Sequence, residues 1–251
     1  MLTYVVLAVA GLGAGMLNAI AGGGTFLSFP ALVWAGVPPI VANATATFAA
    51  LPGYASSAWA YRADIAGDSN PSLMQLIAVA VVGGLLGAGL LLVTSEDLFS
   101  GVVPWLLLIA TVAFAVGPRI LRYLTQKGRQ ASLPTALTIV FGVSVYGGYF
   151  NGGLGIMLLA AFGLIGMTNL HHMNGLKNLM SFVLSVVSVA TYTAAGLIDW
   201  NSLAIVGVSC AIGGYVGATF ARRIKNTALL RGFIIAIGFF MAAVFFMQRA
   251  G

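Results

Sequence analysis

Long apolar stretches separated by short polar clusters divide the chain into eight segments. Each stretch is long enough for a membrane-spanning helix of roughly 20 residues. Apolar residues run continuously instead of alternating with polar ones, which favours helices over a transmembrane barrel. The pattern predicts helical segments at about 2–36, 40–62, 72–93, 101–124, 133–166, 170–196, 201–223 and 227–248.

Glycine-rich stretches interrupt the first and fifth segments, from Gly22 to Gly24 and from Asn151 to Gly155. Glycine weakens a helix because it loses the most backbone entropy on ordering. Non-helical backbone persists inside a bilayer only where protein or a water-filled cavity surrounds it. Two breaks at matching places in two halves of an apolar chain are typical of a transport site.

The two halves of the chain repeat at an offset of about 130 residues. Two G-x-x-x-G motifs, at 83–87 and 213–217, align at this offset and are typical of close helix packing. Nearer the breaks, the alignment pairs Gly22 with Gly153, Gly24 with Gly155, Asn43 with Asn174 and Thr47 with Asn178. We therefore predict two repeats, 1–125 and 130–251, joined by the basic connection at 119–132.

Basic residues concentrate in two loops, 119–129 and 222–231, whereas the charges of loops 94–100 and 196–201 are acidic. Cytoplasmic loops carry the excess of lysine and arginine. With the basic loops inside, each interrupted segment must begin and end on one side, as a hairpin that turns near its glycines. The pattern predicts an all-α, polytopic membrane protein of two inverted repeats, each with one hairpin segment plus three transmembrane helices.

Composition supports a membrane protein and excludes several other classes. Hydrophobic residues make up 60% of the chain and charged residues only 6%, with a mean hydropathy of +1.04, whereas about a quarter of a soluble domain is charged. The net charge of +6 follows from the basic loops, so we expect no nucleic-acid partner. Cys210 is the only cysteine, which excludes an intrachain disulfide. The first apolar run lacks a preceding basic region, so we expect it to remain as a helix rather than to be cleaved as a signal peptide.

Lys177 is the only charged residue well inside an apolar segment. Burying a cation in a membrane helix costs about 2.5–3.5 kcal/mol on insertion scales, so such a residue is a functional candidate. No acidic residue lies in its own segment or in the neighbouring ones. An anionic substrate is the simplest missing partner, and an interfacial lysine without a binding role is the alternative.

Neutral polar residues accompany Lys177 at helical spacing and recur in the second segment. Together with the backbone N–H groups at the two breaks, they offer neutral donors for an oxyanion. Hydrogen bonds between helices are an equally good explanation for each asparagine or threonine alone. The candidate substrate-binding residues are Lys177, Asn174, Asn178, Asn43, Thr47, Thr25, Gly23, Gly24, Asn151, Gly153 and Gly155.

Two adjacent histidines, His171 and His172, begin the sixth segment. Neighbouring side chains on a helix point about 100° apart, and no Cys, Asp or Glu nearby completes a metal site, so we predict no metal. Proton coupling through either histidine is an open hypothesis, because histidine titrates near neutral pH. The sequence shows no nucleophile–base pair and no phosphate-binding loop, and we expect no cofactor.

Two motifs resemble the signatures of a known family. The stretch 18–32 (NAIAGGGTFLSFPAL), followed by 35–39 (AGVPP) and 42–45 (ANAT), is similar to the first signature of the sulfite exporter TauE/SafE permeases. The stretch 149–155 (YFNGGLG) resembles the second. The resemblance covers nearly the whole chain and implies a secondary carrier that moves sulfite, sulfonates or related organosulfur anions across the bacterial inner membrane.

Two other functions remain as alternatives. A cation or metal-ion permease is disfavoured because no carboxylate lies inside an apolar segment. A membrane-embedded enzyme using His171 or His172 is disfavoured because alternating access explains an internal inverted repeat, whereas catalysis does not. The expected partners are the lipid bilayer and a small anion, with a homodimer left open.

Overall fold

The computed structural model describes residues 1–20, 23–65, 71–127, 131–221 and 227–250. Within these ranges the chain is all-α, with eleven helices and no strand. In chain order the helices are α1 (Leu2–Ile20), α2 (Thr25–Trp34), α3 (Pro39–Ala60), α4 (Arg62–Ile65), α5 (Leu73–Leu92), α6 (Glu96–Lys127), α7 (Leu133–Tyr149), α8 (Leu154–Leu164), α9 (Leu170–Ala194), α10 (Trp200–Ala221) and α11 (Thr227–Ala250).

The helices follow the predicted segments, with three differences. A separate short helix, α4, follows α3. Helix α6 begins at Glu96 instead of near 101, because the Ser95 hydroxyl accepts the Leu98 N–H and acidic residues favour a first helical turn. Gly155, predicted to lie in the second break, belongs to α8, because the turn ends at Gly153. Parts of the predicted basic loops, and Gly22, lie outside the described residues.

The outer surface of the bundle is apolar. Large side chains such as Val82, Leu85, Val208 and Phe240 are exposed, which is normal only where lipid replaces water. Among the described residues, the helices long and apolar enough to cross a membrane are Leu73–Leu92, Glu96–Gly117, His171–Ala194 and Trp200–Gly217. The protein is therefore polytopic, as the sequence predicts.

Three of the four tryptophans are exposed near the ends of the bundle, and the fourth, Trp105, is exposed within α6. Trp34 ends α2 and Trp200 begins α10, whereas Trp59 lies at the far end of α3. The guanidinium carbon of Arg62 lies 4.7 Å from the centre of the Trp59 ring. Tryptophan and arginine are typical of the membrane–water interface, so these residues mark where the lipid headgroups lie.

Both interrupted segments fold back as hairpins. The Ala131 N–H, just before α7, donates to the Ile165 carbonyl, just after α8, over 3.4 Å. In the first hairpin, Met1 and Gly36 line the same cavity, although α1 and α2 separate them in the sequence. Each hairpin therefore returns to the end where it began, as the charge pattern predicts.

The loops predicted to share one side of the membrane lie at the same end of the bundle. At the predicted outer end, the Ile40 N–H donates to Glu96 Oε2 over 3.2 Å, and the Asp199 N–H donates to Thr45 Oγ1 over 3.1 Å. At the opposite end, His172 Nδ1 lies 2.8 Å from the carbonyl oxygen of Asp64.

Cysteine labelling tests this assignment of the two ends. In a Cys210→Ser background, we expect a membrane-impermeant maleimide added to intact cells to label Asp97→Cys and to leave Ala63→Cys unlabelled until the cells are opened. Both positions are exposed, so access alone decides the outcome. Labelling of position 63 from outside, with position 97 protected, would show that the orientation is reversed.

Glycines allow two pairs of helix backbones to touch. A Cβ at Gly87 of α5 would overlap the Val145 carbonyl oxygen of α7, and one at Gly213 of α10 would overlap that of Leu12 in α1. Both glycines belong to the predicted G-x-x-x-G motifs, so the predicted packing role is confirmed. The first helix of each half therefore packs against the other half.

Candidate functional site

The second helix break, 150–153, has a backbone that requires glycine at its last position. Gly153 adopts the left-handed conformation, with φ of 74°, and caps the N-terminus of α8. A Cβ there would lie 2.8 Å from the Cβ of Ala110 in α6. Because a side chain would meet both strain and overlap, only glycine allows the chain to turn this close to α6.

Polar side chains from three helices bind carbonyl groups around the second break. Asn43 Nδ2 donates to the Tyr149 carbonyl over 3.0 Å, and the Tyr146 hydroxyl donates to the Gly152 carbonyl over 2.7 Å. The Tyr192 hydroxyl donates to the Gly148 carbonyl. These bonds satisfy carbonyl groups that a continuous helix would have paired, so the break can persist in an apolar environment.

Asn151 lies at the centre of the break and links two further helices. Its Oδ1 accepts the Tyr54 hydroxyl of α3 over 3.5 Å, and its Nδ2 donates to Ser185 Oγ of α9 over 3.4 Å. All three side chains are buried. The amide of Asn151 is thus held between α3 and α9, and one of its two hydrogens is not donated to any described residue.

The first break is closed by a side chain of its own hairpin. The Gly24 N–H donates to Asn18 Oδ1 over 2.8 Å, and Asn18 Nδ2 is buried without a hydrogen-bond partner among the described residues. Gly23 and Thr25 are buried. The first break therefore leaves a buried amide donor beside the start of α2.

Aromatic side chains bring the two hairpins together in the interior. Phe29 of α2 meets Phe150 of the second break edge to face, with ring centres 5.6 Å apart. Phe26 lies next to Gly153: its ring atom Cζ is 3.6 Å from the position that a Cβ on Gly153 would occupy. The start of α2 and the second break are thus neighbours, as the matching positions of the two breaks suggest.

Lys177 lies half-buried in α9, seven residues after its first residue. It makes no hydrogen bond or ion pair with the residues that the structure describes. Asn178 is buried next to it, and Asn174 is half-buried one turn earlier. The predicted polar stripe therefore exists, with its cation unpaired within the described chain.

The predicted counterparts in α3 have structural partners. Asn43 donates to the second break, and its Oδ1 is buried without a partner in the part of the chain that the structure describes. The Thr47 hydroxyl donates to the Asn43 carbonyl over 2.8 Å. Asn43 positions the break, and the hydroxyl hydrogen of Thr47 is used within its own helix.

The two histidines lie at the start of α9, away from its middle. His171 is exposed, and Asn169 Oδ1 accepts the backbone N–H groups of both histidines. Because a carbonyl only accepts, His172 Nδ1 carries the hydrogen that it donates to the Asp64 carbonyl, and its buried Nε2 has no partner among the described residues. Among the described residues, no group of three metal-ligating side chains lies together.

Sequence reasoning missed the continuation of the polar stripe along α9. Buried polar residues recur at alternating spacings of three and four, so that they share one helix face. Beyond Asn178 these residues are Ser181, Ser185, Ser188 and Tyr192. The same spacing was visible in the sequence and could have identified them.

A cavity of about 500 Å³ lies at the predicted outer end. It lies between the ends of the first hairpin and the start of α10. Its lining residues are Met1, Thr3, Tyr4, Leu7, Ala35, Gly36, Val37, Pro38, Val41, Asp199, Asn201 and Ser202.

Comparisons with known proteins agree with this architecture. Residues 7–245 match the sequence model of the family described as Sulfite exporter TauE/SafE. The chain is similar to probable membrane transporter proteins of Haemophilus influenzae (29% identity, covering 92% of this chain and 89% of the relative) and of Sinorhizobium (25%, 91% and 87%). It is also similar to the probable membrane transporter protein YfcA of Escherichia coli (27%, 92% and 84%). No solved structure matches it. The chain therefore belongs to the sulfite exporter TauE/SafE family, as a multi-pass membrane transporter and not as an enzyme.

Proposed function

We propose that the protein is a secondary transporter of small anions, with sulfite, sulfonates or other organosulfur anions as substrates. The observation that carries this proposal is Lys177, which lies half-buried inside a membrane-spanning helix without an acidic partner among the described residues. An unpaired cation in an apolar environment is stabilised when an anion binds beside it.

The helix breaks supply the other half of the proposed site. Helices α2 and α8 begin inside the bundle, where their N-terminal N–H groups favour negative charge. The residues proposed to contribute donors or close backbone approach are Gly23, Gly24, Thr25, Asn151, Gly153, Gly155, Asn174 and Asn178. Asn43 and Thr47 belong to the proposed group from α3, where Asn43 Nδ2 and the Thr47 hydroxyl each donate one hydrogen to a backbone carbonyl.

Alternating access through two inverted repeats is the proposed mechanism. Each half has a hairpin, and each hairpin packs its first helix against a glycine-rich helix of the other half. Rocking of one half against the other would expose a central site to each side in turn. The proposed location is the bacterial inner membrane, with proton coupling through His171 or His172 at the cytoplasmic end.

Uptake into proteoliposomes tests the proposed substrate class. We expect purified protein to transport sulfite or a sulfonate in preference to sulfate, thiosulfate and simple carboxylates. An imposed pH gradient should accelerate uptake if a histidine couples protons. Transport of sodium or a divalent metal ion, with no anion of the panel transported, would contradict the proposal and favour a cation permease.

A further inference from the structure

The polar face of α9 leads from Lys177 to the second helix break. Lys177, Ser181 and Ser185 are spaced four residues apart, so their side chains follow one another along one face of the helix. Each step advances about 6 Å along the axis. The cation is therefore nearer the cytoplasmic end, and the serines lie deeper, at the level of Asn151.

The deeper part of this face holds hydrogen-bond donors that make no bond to the described part of the chain. Ser181 is fully buried, and its hydroxyl has no hydrogen-bond partner among the residues that the structure describes. Ser185 Oγ accepts from Asn151 Nδ2 and donates to none of the described residues, and the second amide hydrogen of Asn151 likewise has no acceptor among them. A fully buried polar group without a partner is unfavourable and indicates a missing ligand or water.

The donors of Ser181, Ser185 and Asn151 suit an anion, because the described carboxylates lie away from them. The described carboxylates, Asp64, Glu96, Asp97 and Asp199, lie at or beside helix ends. The side chains that bind Asn151 are the hydroxyls of Tyr54 and Ser185, and Tyr54 fixes the amide by donating to its Oδ1. That orientation directs the amide N–H group of Asn151 towards Ser185 of α9.

We infer that Ser181, Ser185 and Asn151 form the binding site for the oxygen atoms of the transported anion, one turn and more beyond Lys177. Three available donor hydrogens suit a group in which one central atom carries three oxygens, such as sulfite or a sulfonate. Lys177 attracts the anion, and the neutral donors select its shape. This inference rests on the proposed anion transport.

Alanine substitution at Ser181 tests the site, with Ser144 as the matched control. Both serines are fully buried in helices, but the Ser144 hydroxyl donates to the Val140 carbonyl of its own helix over 2.8 Å. We expect Ser181→Ala and Ser185→Ala each to weaken competition by methanesulfonate against sulfite uptake by about tenfold or more. Ser144→Ala should leave it unchanged.

A second measurement separates a binding role from a general loss of fold. Acetate has the same methyl group as methanesulfonate but presents two oxygens, so we expect Ser181→Ala to reduce the preference for methanesulfonate over acetate. If Ser181 had only a structural role, Ser181→Ala would lower the affinities for methanesulfonate and acetate in parallel. That result would overturn the inference. Wild-type affinities for methanesulfonate in both Ser181→Ala and Ser185→Ala would also overturn the inference, and the proposed anion transport would remain intact. If the wild-type protein transports no anion, both the inference and the proposed function fail.

Discussion

Replacing Lys177 with alanine should lower the affinity for the transported anion by roughly tenfold or more, because a charge-assisted contact is lost. The protein should stay folded, since Lys177 makes no hydrogen bond or ion pair with the described residues. Competition for uptake in proteoliposomes, together with size-exclusion profiles in detergent, measures the two quantities separately. Lys177→Arg should retain part of the affinity, because the charge is kept but its geometry changes.

Two further variants make the test of Lys177 specific. Lys177→Glu should abolish transport, because a carboxylate at this position repels the anion. Arg119→Ala removes the same unit of charge from an exposed position of α6 and should leave affinity unchanged. If Lys177→Ala transports as the wild-type protein does, Lys177 is an interfacial lysine, and the site consists of neutral donors alone.

The helical architecture could be predicted because it follows from local sequence. Uncharged apolar stretches of sufficient length must form helices in a bilayer, and the glycine runs mark where the first and fifth segments turn. The charge of the loops was enough to require that these segments fold back, and the contact between Ala131 and Ile165 agrees with that reasoning. The inverted relation between the halves stays a prediction.

The partners of the candidate site residues could not be predicted, because they depend on contacts between distant parts of the chain. The sequence marks Asn43 as polar within an apolar helix, but not that its amide would bind the carbonyl of Tyr149. Tyr54 appears as an ordinary aromatic residue until the fold brings it to Asn151. Histidine at the start of α9 suggested chemistry, whereas His172 binds the backbone of Asp64.

The serines of α9 illustrate a limit of a different kind. Ser181 and Ser185 are neutral and small, so each alone reads as a packing residue in a membrane helix. Their periodicity is visible in the sequence, but only burial distinguishes them from lipid-facing serines. A missing partner, such as that of the Ser181 hydroxyl, can be recognised only when the surrounding side chains are known.

Gly87→Ala should destabilise the protein strongly, because the new methyl group would overlap the Val145 carbonyl oxygen and crowd the Tyr149 nitrogen of α7. Rigid backbone lies on both sides, so α5 and α7 must separate, at a cost of about 1–3 kcal/mol or more. Gly89, in the same helix, has open space around its Cβ position. Gly89→Ala should therefore be neutral or stabilising by up to about 1 kcal/mol, through helix propensity alone.

Thermal unfolding in detergent compares Gly87→Ala and Gly89→Ala directly, since the same atoms are added to the same helix. Gly213→Ala extends the comparison to the other half, because its methyl group would overlap the Leu12 carbonyl oxygen of α1. We expect Gly213→Ala to behave like Gly87→Ala, because each added methyl group would meet a backbone carbonyl oxygen of the neighbouring helix. If Gly87→Ala unfolds at the same temperature as Gly89→Ala, the backbones of α5 and α7 are not in contact, and the packing of the first helix of each half against the other half is wrong.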